Sequence, residues 1–363
     1  VPVVDSRVLG AFELPTVELL QARLGISKEA ADLYLDSDVV DLHVESFSFF
    51  RALGYHPHRR HGPGWNRALL FGQADIPRLL EAGVNGACWV ITGHPLRPAD
   101  TREEAFDRLY RELTALLAGA DGKVAVVDSL ADYQAARSRG QHAAFVGVQG
   151  AHAFPPDASV LDRLPGPLLR ITLLHLTGTA WGDTSAPNPW RKGRGLSALG
   201  GQFIERMNEL RIGVDLAHVH PQGFWAAVDC AKPSIPLLVT HTGVQGAHAH
   251  WRNLDDAQLR AVAERGGTVG IMYHSVFLGD RLLSGRLASV VRHIRHAIQV
   301  IGSEHVSLGS DWDGAICTPR DMPTCLELPL LAQALLGQGV REQDVVNVLG
   351  RSALRVIREI KGA

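Results

Sequence analysis

The feature that most constrains this chain is an alternation. From about residue 38 onward, short β-branched or apolar runs each precede a stretch of helical periodicity. The runs fall at residues 39–43, 84–91, 144–148, 168–174, 213–216, 237–240, 268–273 and 305–309, and a shorter one at 124–127 reads as an edge or connector piece. Between them, residues 199–210 place Leu199, Phe203, Ile204, Met207 and Leu210 on one helical face. Residues 255–264 and 288–301 read the same way, and Asp255 and Asp256 supply negative charge suited to a helix N-terminus. Eight strands alternating with helices predict a (β/α)8 TIM-type barrel, a fold of roughly 250 residues. A doubly wound open sheet is the competing arrangement, but no GxGxxG follows the first strand.

The remainder of the chain fits one domain built around that barrel. Residues 1–37, helical over 18–25 and 27–35, read as an N-terminal cap, and residues 38–315 as the barrel. Residues 316–363 read as closing helices over 326–337, 341–349 and 352–360.

In such barrels reactive side chains gather at the C-terminal ends of the strands. Here the first strand ends in Asp41-Leu42-His43-Val44-Glu45, and strand alternation sets His43 and Glu45 on one face. The third runs into Gln149-Gly150-Ala151-His152 and the fourth into His175. The fifth ends at Asp215 to His218, the sixth at Thr240-His241, and the eighth at Ser310-Asp311-Trp312-Asp313. A single histidine after a strand is usually a hydrogen-bonded structural residue. Histidines and carboxylates at several strand mouths of one barrel instead form a mixed N/O donor shell of the kind zinc and related divalent ions accept.

Several segments, in order, carry a resemblance to the membrane (renal) dipeptidase family, peptidase family M19 of the amidohydrolase superfamily. They are residues 72–89 (GQADIPRLLEAGVNGACW), 147–152 (GVQGAH), 195–219 (GLSALGGQFIERMNELRIGVDLAHV), 240–255 (THTGVQGAHAHWRNLD) and 309–314 (GSDWDG). The resemblance runs from about Asp41 to Val356. It implies a metal-dependent amidohydrolase barrel that hydrolyses a dipeptide or small peptide-like amide. It assigns His43 and Glu45 to a first metal, with Asp311 binding that metal and handling the proton, and His218 and His241 to a second metal. It assigns His175 to polarising the scissile carbonyl and Arg252 to holding the substrate carboxylate, for which a guanidinium fork is suited. The implied cofactor is zinc, as one or two ions. A homodimer is expected by analogy alone.

Two positions depart from the family pattern. The first-metal aspartate is Glu45, a longer arm with the same charge, and the bridging glutamate is Gln149. Two dications about 3.5–4 Å apart repel by roughly 20 kcal/mol at an effective dielectric of 20. Removing one bridging negative charge predicts that one metal position is weak or empty. Counting charges, the His43/Glu45/Asp311 cluster is expected to keep its ion in preference to His218/His241. This sets an alternative beside the dipeptidase: a family member recruited to another reaction on a peptide-like metabolite with one metal or an altered metal site. Retention of so many polar groups argues against a third reading, a non-catalytic binding barrel.

Composition closes off other classes. A net charge of −2 gives no nucleic-acid footprint. The longest apolar runs, such as 84–91, fall far short of the ~20 residues of a spanning helix. No signal-peptide pattern is visible, which sets a cytoplasmic expectation, although a removed leader would leave no trace. Cys88, Cys230, Cys317 and Cys325 lack CxxC spacing and read mostly as buried thiols in a reducing compartment. Residues 58–65 (HRRHGPGW) read as a solvated basic loop, or as a lid shaped for an acidic substrate.

Overall fold

The computed structural model describes residues 9–62, 68–187, 193 and 195–362. Residues 63–65 of the lid candidate lie outside the described residues. Among the described residues there are nine parallel strands: β1 Val40–Val44, β2 Gly86–Thr92, β3 Val124–Val126, β4 His142–Gln149, β5 Arg170–Thr172, β6 Gly213–Asp215, β7 Leu237–Thr242, β8 Thr268–Ile271 and β9 Val306–Leu308. β2 pairs with β4 along its whole length, from Gly86↔Ala143 to Thr92↔Gln149, and β1 pairs with β9 at Asp41↔Leu308. Those two pairings close β1, β2 and β4 to β9 into an eight-stranded barrel. β3 lies outside the ring, on the N-terminal half of β4, as an edge piece.

The wall is tight because small residues permit it. A Cβ on Gly270 or on Gly309 would collide with the Thr240 carbonyl oxygen. β7, β8 and β9 therefore approach at a spacing that only glycine allows there.

The crossover helices follow their sequence signals. Helix Ala198–Glu209 starts at Ser197, whose hydroxyl accepts from Gly200 N, and buries Phe203, Ile204 and Met207. Helix Asp256–Glu264 begins with a capping box formed by Asp255 and Gln258. Helix Leu287–Ile301 buries Val290, Val291, Ile294 and Ala297 against the barrel. Helices Val17–Leu24 and Lys28–Asp36 pack with Pro329–Gly337, joining the N-terminal cap to the closing helices. Helix Ser352–Lys361 packs Ala353, Leu354 and Ile357 against Val40 and Leu42 of β1.

Cys88, Cys317 and Cys325 are buried, Cys230 is exposed, and all four are free thiols. Among the described residues no helix is long and apolar enough to cross a membrane.

Candidate metal centre

The site is assembled at the C-terminal ends of the strands. β1 turns Asp41 and His43 into the barrel, while Leu42 between them packs outward. Asp41 is fully buried and braces the neighbouring loop: its carboxylate accepts from His43 N at 2.8 Å and from Ser310 N at 3.1 Å. Burial pushes its pKa up to about 7.

Glu45 lies beyond the end of the strand. The chain leaves β1 at Val44, and Glu45 occupies the N-cap position of helix Ser46–Leu53, with φ −99° and ψ 6°. Its carboxylate reaches His43 because of this turn, not because of strand alternation, and Oε1 lies 3.7 Å from His43 Nε2. Thr92 at the end of β2 donates its hydroxyl to the same oxygen at 2.6 Å. Burial pushes the Glu45 pKa up to about 7, against these hydrogen bonds.

Asp311 and His218 both sit in the left-handed backbone region, at φ 63° and 66°. Non-glycine residues there are sparse and collect at functional sites. At Asp311 this turn brings the carboxylate back over the barrel, where Oδ1 lies 3.5 Å from His43 Nε2. A Cβ on Gly314 would strike that carboxylate, so the last glycine of GSDWDG is a space requirement. Burial and the neighbouring Glu45 charge raise the Asp311 pKa well above the usual carboxylate range, and Arg252 pulls it back down.

His241, in β7, is the centre of the cluster. Its ring lies 3.9 Å from that of His43, and its Nε2 lies 2.9 Å from His218 Nε2. One ligand atom each from His43, His241 and Asp311 falls within 4.8 Å of the others, and all three residues are buried. This group mixes the two expected sets, bringing His241 to His43 and Asp311. Burial lowers the pKa of His43, His218 and His241 well below the ordinary histidine value, so all three are neutral.

The protons on these rings can be traced. Thr240 donates its hydroxyl to Asp215 Oδ2 at 2.7 Å, and its oxygen lies 3.0 Å from His241 Nδ1. The hydroxyl proton is committed to the carboxylate, so Nδ1–H of His241 donates to Thr240. The lone pair of Nε2 then faces inward, as a metal ligand requires. Gln149, at the end of β4, places its Nε2 3.4 Å from both His218 Nε2 and His241 Nε2, while its Oε1 is buried without a partner. Turning that amide over would aim Oε1 at the same spot. Two imidazoles, a carboxylate and an orphaned amide oxygen fit a divalent ion with an open position.

His175 and Arg252 border this cluster. The His175 ring meets that of His218 edge-on at 4.9 Å and stacks with His152 at 6.3 Å. Burial pushes its pKa down to about 3. Arg252 is buried, donates from Nη2 to His241 O at 2.6 Å and keeps Nε unpartnered. Burial lowers its pKa to about 10.

One buried residue beside this cluster was not singled out from the sequence. Arg170 in β5 is fully buried, with Nη2 2.7 Å from His43 Nδ1 and Nη1 3.3 Å from Asp215 Oδ2. Its signal was a lone cation in an otherwise apolar run, LLRITLL. Thr172, two residues on, donates to Asp215 Oδ2 at 2.5 Å and accepts from Arg170 Nη1 at 2.6 Å.

Known proteins resemble this chain over most of its length. It is 30% identical over 270 residues to an uncharacterized protein in the pqqA 5′ region of Klebsiella pneumoniae, covering 71% of this chain and 97% of that one. It is 28% identical over 306 residues to dipeptidase aclJ of Aspergillus oryzae, covering 80% and 71%. The crystal structure of dipeptidase AC, a metallopeptidase, superposes with a TM-score of 0.79 at 25% identity, covering 90% of this chain and 99% of that one. Residues 27–363 match the membrane dipeptidase family as a whole. With this barrel and this cluster at its mouth, the chain belongs to the membrane dipeptidase family, peptidase family M19.

Proposed function

We propose that this protein is a metal-dependent hydrolase of dipeptides or small peptide-like amides, with zinc as its ion. The observation that carries the reading is the convergence of buried, neutral imidazoles with the Asp311 carboxylate at the C-terminal mouth of the barrel. His241 and Asp311 would hold the ion, with His218 Nε2 2.9 Å from His241 Nε2 and the Gln149 amide, 3.4 Å from both imidazoles, as further donors. When bound, a divalent ion supplies a Lewis acid and makes water nucleophilic near neutral pH.

The chain's own groups supply the rest. Asp311 takes the proton of the attacking water at a carboxylate oxygen and passes it to the leaving amine. His175, neutral and beside His218, hydrogen-bonds the scissile carbonyl oxygen. Arg252 offers its guanidinium to the substrate's terminal carboxylate, and this contact selects a free C-terminus.

The test is a dipeptide panel assayed with added Zn²⁺. Turnover that falls by about 10²–10⁴-fold in Asp311→Asn, the usual worth of a general acid–base group, supports the reading. Full turnover in that variant, or none with any dipeptide in the zinc-loaded wild type, contradicts it.

A further inference from the structure

We infer that Arg170 locks His43 into the tautomer that carries its proton on Nε2, so that His43 is not a metal ligand at this site. The inference rests on the one-ion hydrolase reading above and assigns the residue that enforces it.

The argument starts from what a guanidinium can do. Arginine has five N–H donors, no acceptor and no neutral form in proteins. Its Nη2 lies 2.7 Å from His43 Nδ1. At that distance Nδ1 must be the acceptor and can bear no proton. A neutral imidazole carries one proton, so it sits on Nε2. His43 Nε2 is the atom that faces Asp311 Oδ1 at 3.5 Å and Glu45 Oε1 at 3.7 Å. A metal ligand needs a lone pair there, whereas this tautomer turns a proton toward the two carboxylates, neither of which is within hydrogen-bond distance of Nε2. His241, whose Nδ1 donates to Thr240, has the opposite tautomer, the one that suits an ion.

Arg170 has little freedom to turn away. Besides His43, it donates to Leu42 O at 3.2 Å, Val148 O at 3.1 Å and Thr172 Oγ1 at 2.6 Å, and it pairs with Asp215 at 3.3 Å. These contacts come from β1, β4, β5 and β6, so the guanidinium is clamped by four strands of the wall. Charge agrees with geometry. Among the buried groups touching this cluster, Asp41, Glu45, Asp215 and Asp311 are carboxylates, and Arg170 and Arg252 are cations. Arg170 thus stands where a second ion's charge would, and Gln149 in place of a bridging carboxylate is consistent with it. This reverses the ranking by charge count, which favoured an ion on His43 and Glu45.

Two measurements decide it. The first is ring ¹⁵N NMR of histidine-labelled, metal-free protein, with the His43 signals assigned by their loss in His43→Gln. The expected pair has Nδ1 unprotonated and Nε2 protonated, and a protonated Nδ1 overturns the inference. This readout holds whether or not the protein hydrolyses dipeptides. The second is the number of zinc ions retained per chain after dialysis. One ion is expected in wild type and in Gln149→Glu, and two in Gln149→Glu combined with Arg170→Met. Two ions in wild type, or in Gln149→Glu alone, would show that Arg170 does not exclude the second. Should the double variant fail to fold, the NMR tautomer and the Gln149→Glu count still decide the case.

Discussion

Replacing Thr240 by valine isolates the relay that orients His241. Valine keeps the shape of threonine, so no cavity opens, and only the hydroxyl is lost. Asp215 stays satisfied, because its carboxylate still accepts from Thr172 at 2.5 Å and from the backbone N–H groups of Ala217 at 3.1 Å and Thr240 at 3.0 Å. The loss falls on His241 Nδ1–H, which has Thr240 Oγ1 at 3.0 Å as its acceptor. Left buried without a partner, that donor costs about 1–3 kcal/mol in the tautomer that binds metal. The ring escapes the cost by moving its proton to Nε2, the position the ion needs. Zinc affinity should therefore fall by roughly 10–100-fold, the usual worth of a hydrogen bond behind a metal-binding histidine. That corresponds to about 1.4–2.7 kcal/mol. The assay is chelator competition on purified protein, with Thr240→Ser as a control that keeps the hydroxyl. If Thr240→Val binds zinc as tightly as wild type, the tautomer assigned to His241 is wrong.

Two further outcomes follow from other parts of the structure. Trp89 Nε1 donates to His142 Nε2 at 3.1 Å while His142 Nδ1 meets Val84 O at 2.8 Å, so this buried ring is fully satisfied when neutral, and burial pushes its pKa down to about 4. The unfolded chain, with its histidine near 6.5, binds the proton more readily, so this contribution is complete above about pH 6.5 and is lost as pH falls toward 4. Between pH 7 and 5 it amounts to about 2 kcal/mol, and urea unfolding of His142→Gln should show a correspondingly shallower loss than wild type; an identical loss would contradict it. Arg252→Met should lower kcat/KM for dipeptides by about 10–100-fold, the worth of a hydrogen bond to a charged group, and should leave C-terminally amidated analogues little affected. An equal loss on both substrates would mean that Arg252 does not read the carboxylate.

Much of the barrel was legible because burial on both faces of a parallel strand leaves an apolar run, and helices between such runs keep their own period. The boundaries were less so. The run at 168–174 contains only a three-residue strand, Arg170–Thr172, because Leu174 and His175 already belong to the exit from the barrel. The backbone position of Glu45 could not be read correctly, since nothing in Val44-Glu45-Ser46 reveals that a helix starts there. The sequence also did not show that His241 lies beside His43 and Asp311. What the chain could not disclose is which nitrogen of each ring bears its proton. That depends on Arg170 meeting His43 across 127 residues of sequence, and on Thr240 choosing Asp215 as its acceptor. An arginine within an apolar strand is the visible sign of such a partner, because a buried guanidinium must be paired to be tolerated.

The central claim is that hydrolysis depends on one divalent ion held at the barrel mouth. The most direct test is to strip the protein with a chelator, follow dipeptide hydrolysis, and titrate Zn²⁺ back while counting bound ions. The account predicts no turnover in the stripped protein and full recovery at one ion per chain. Undiminished hydrolysis after stripping, or recovery that begins only as a second ion binds, would contradict it.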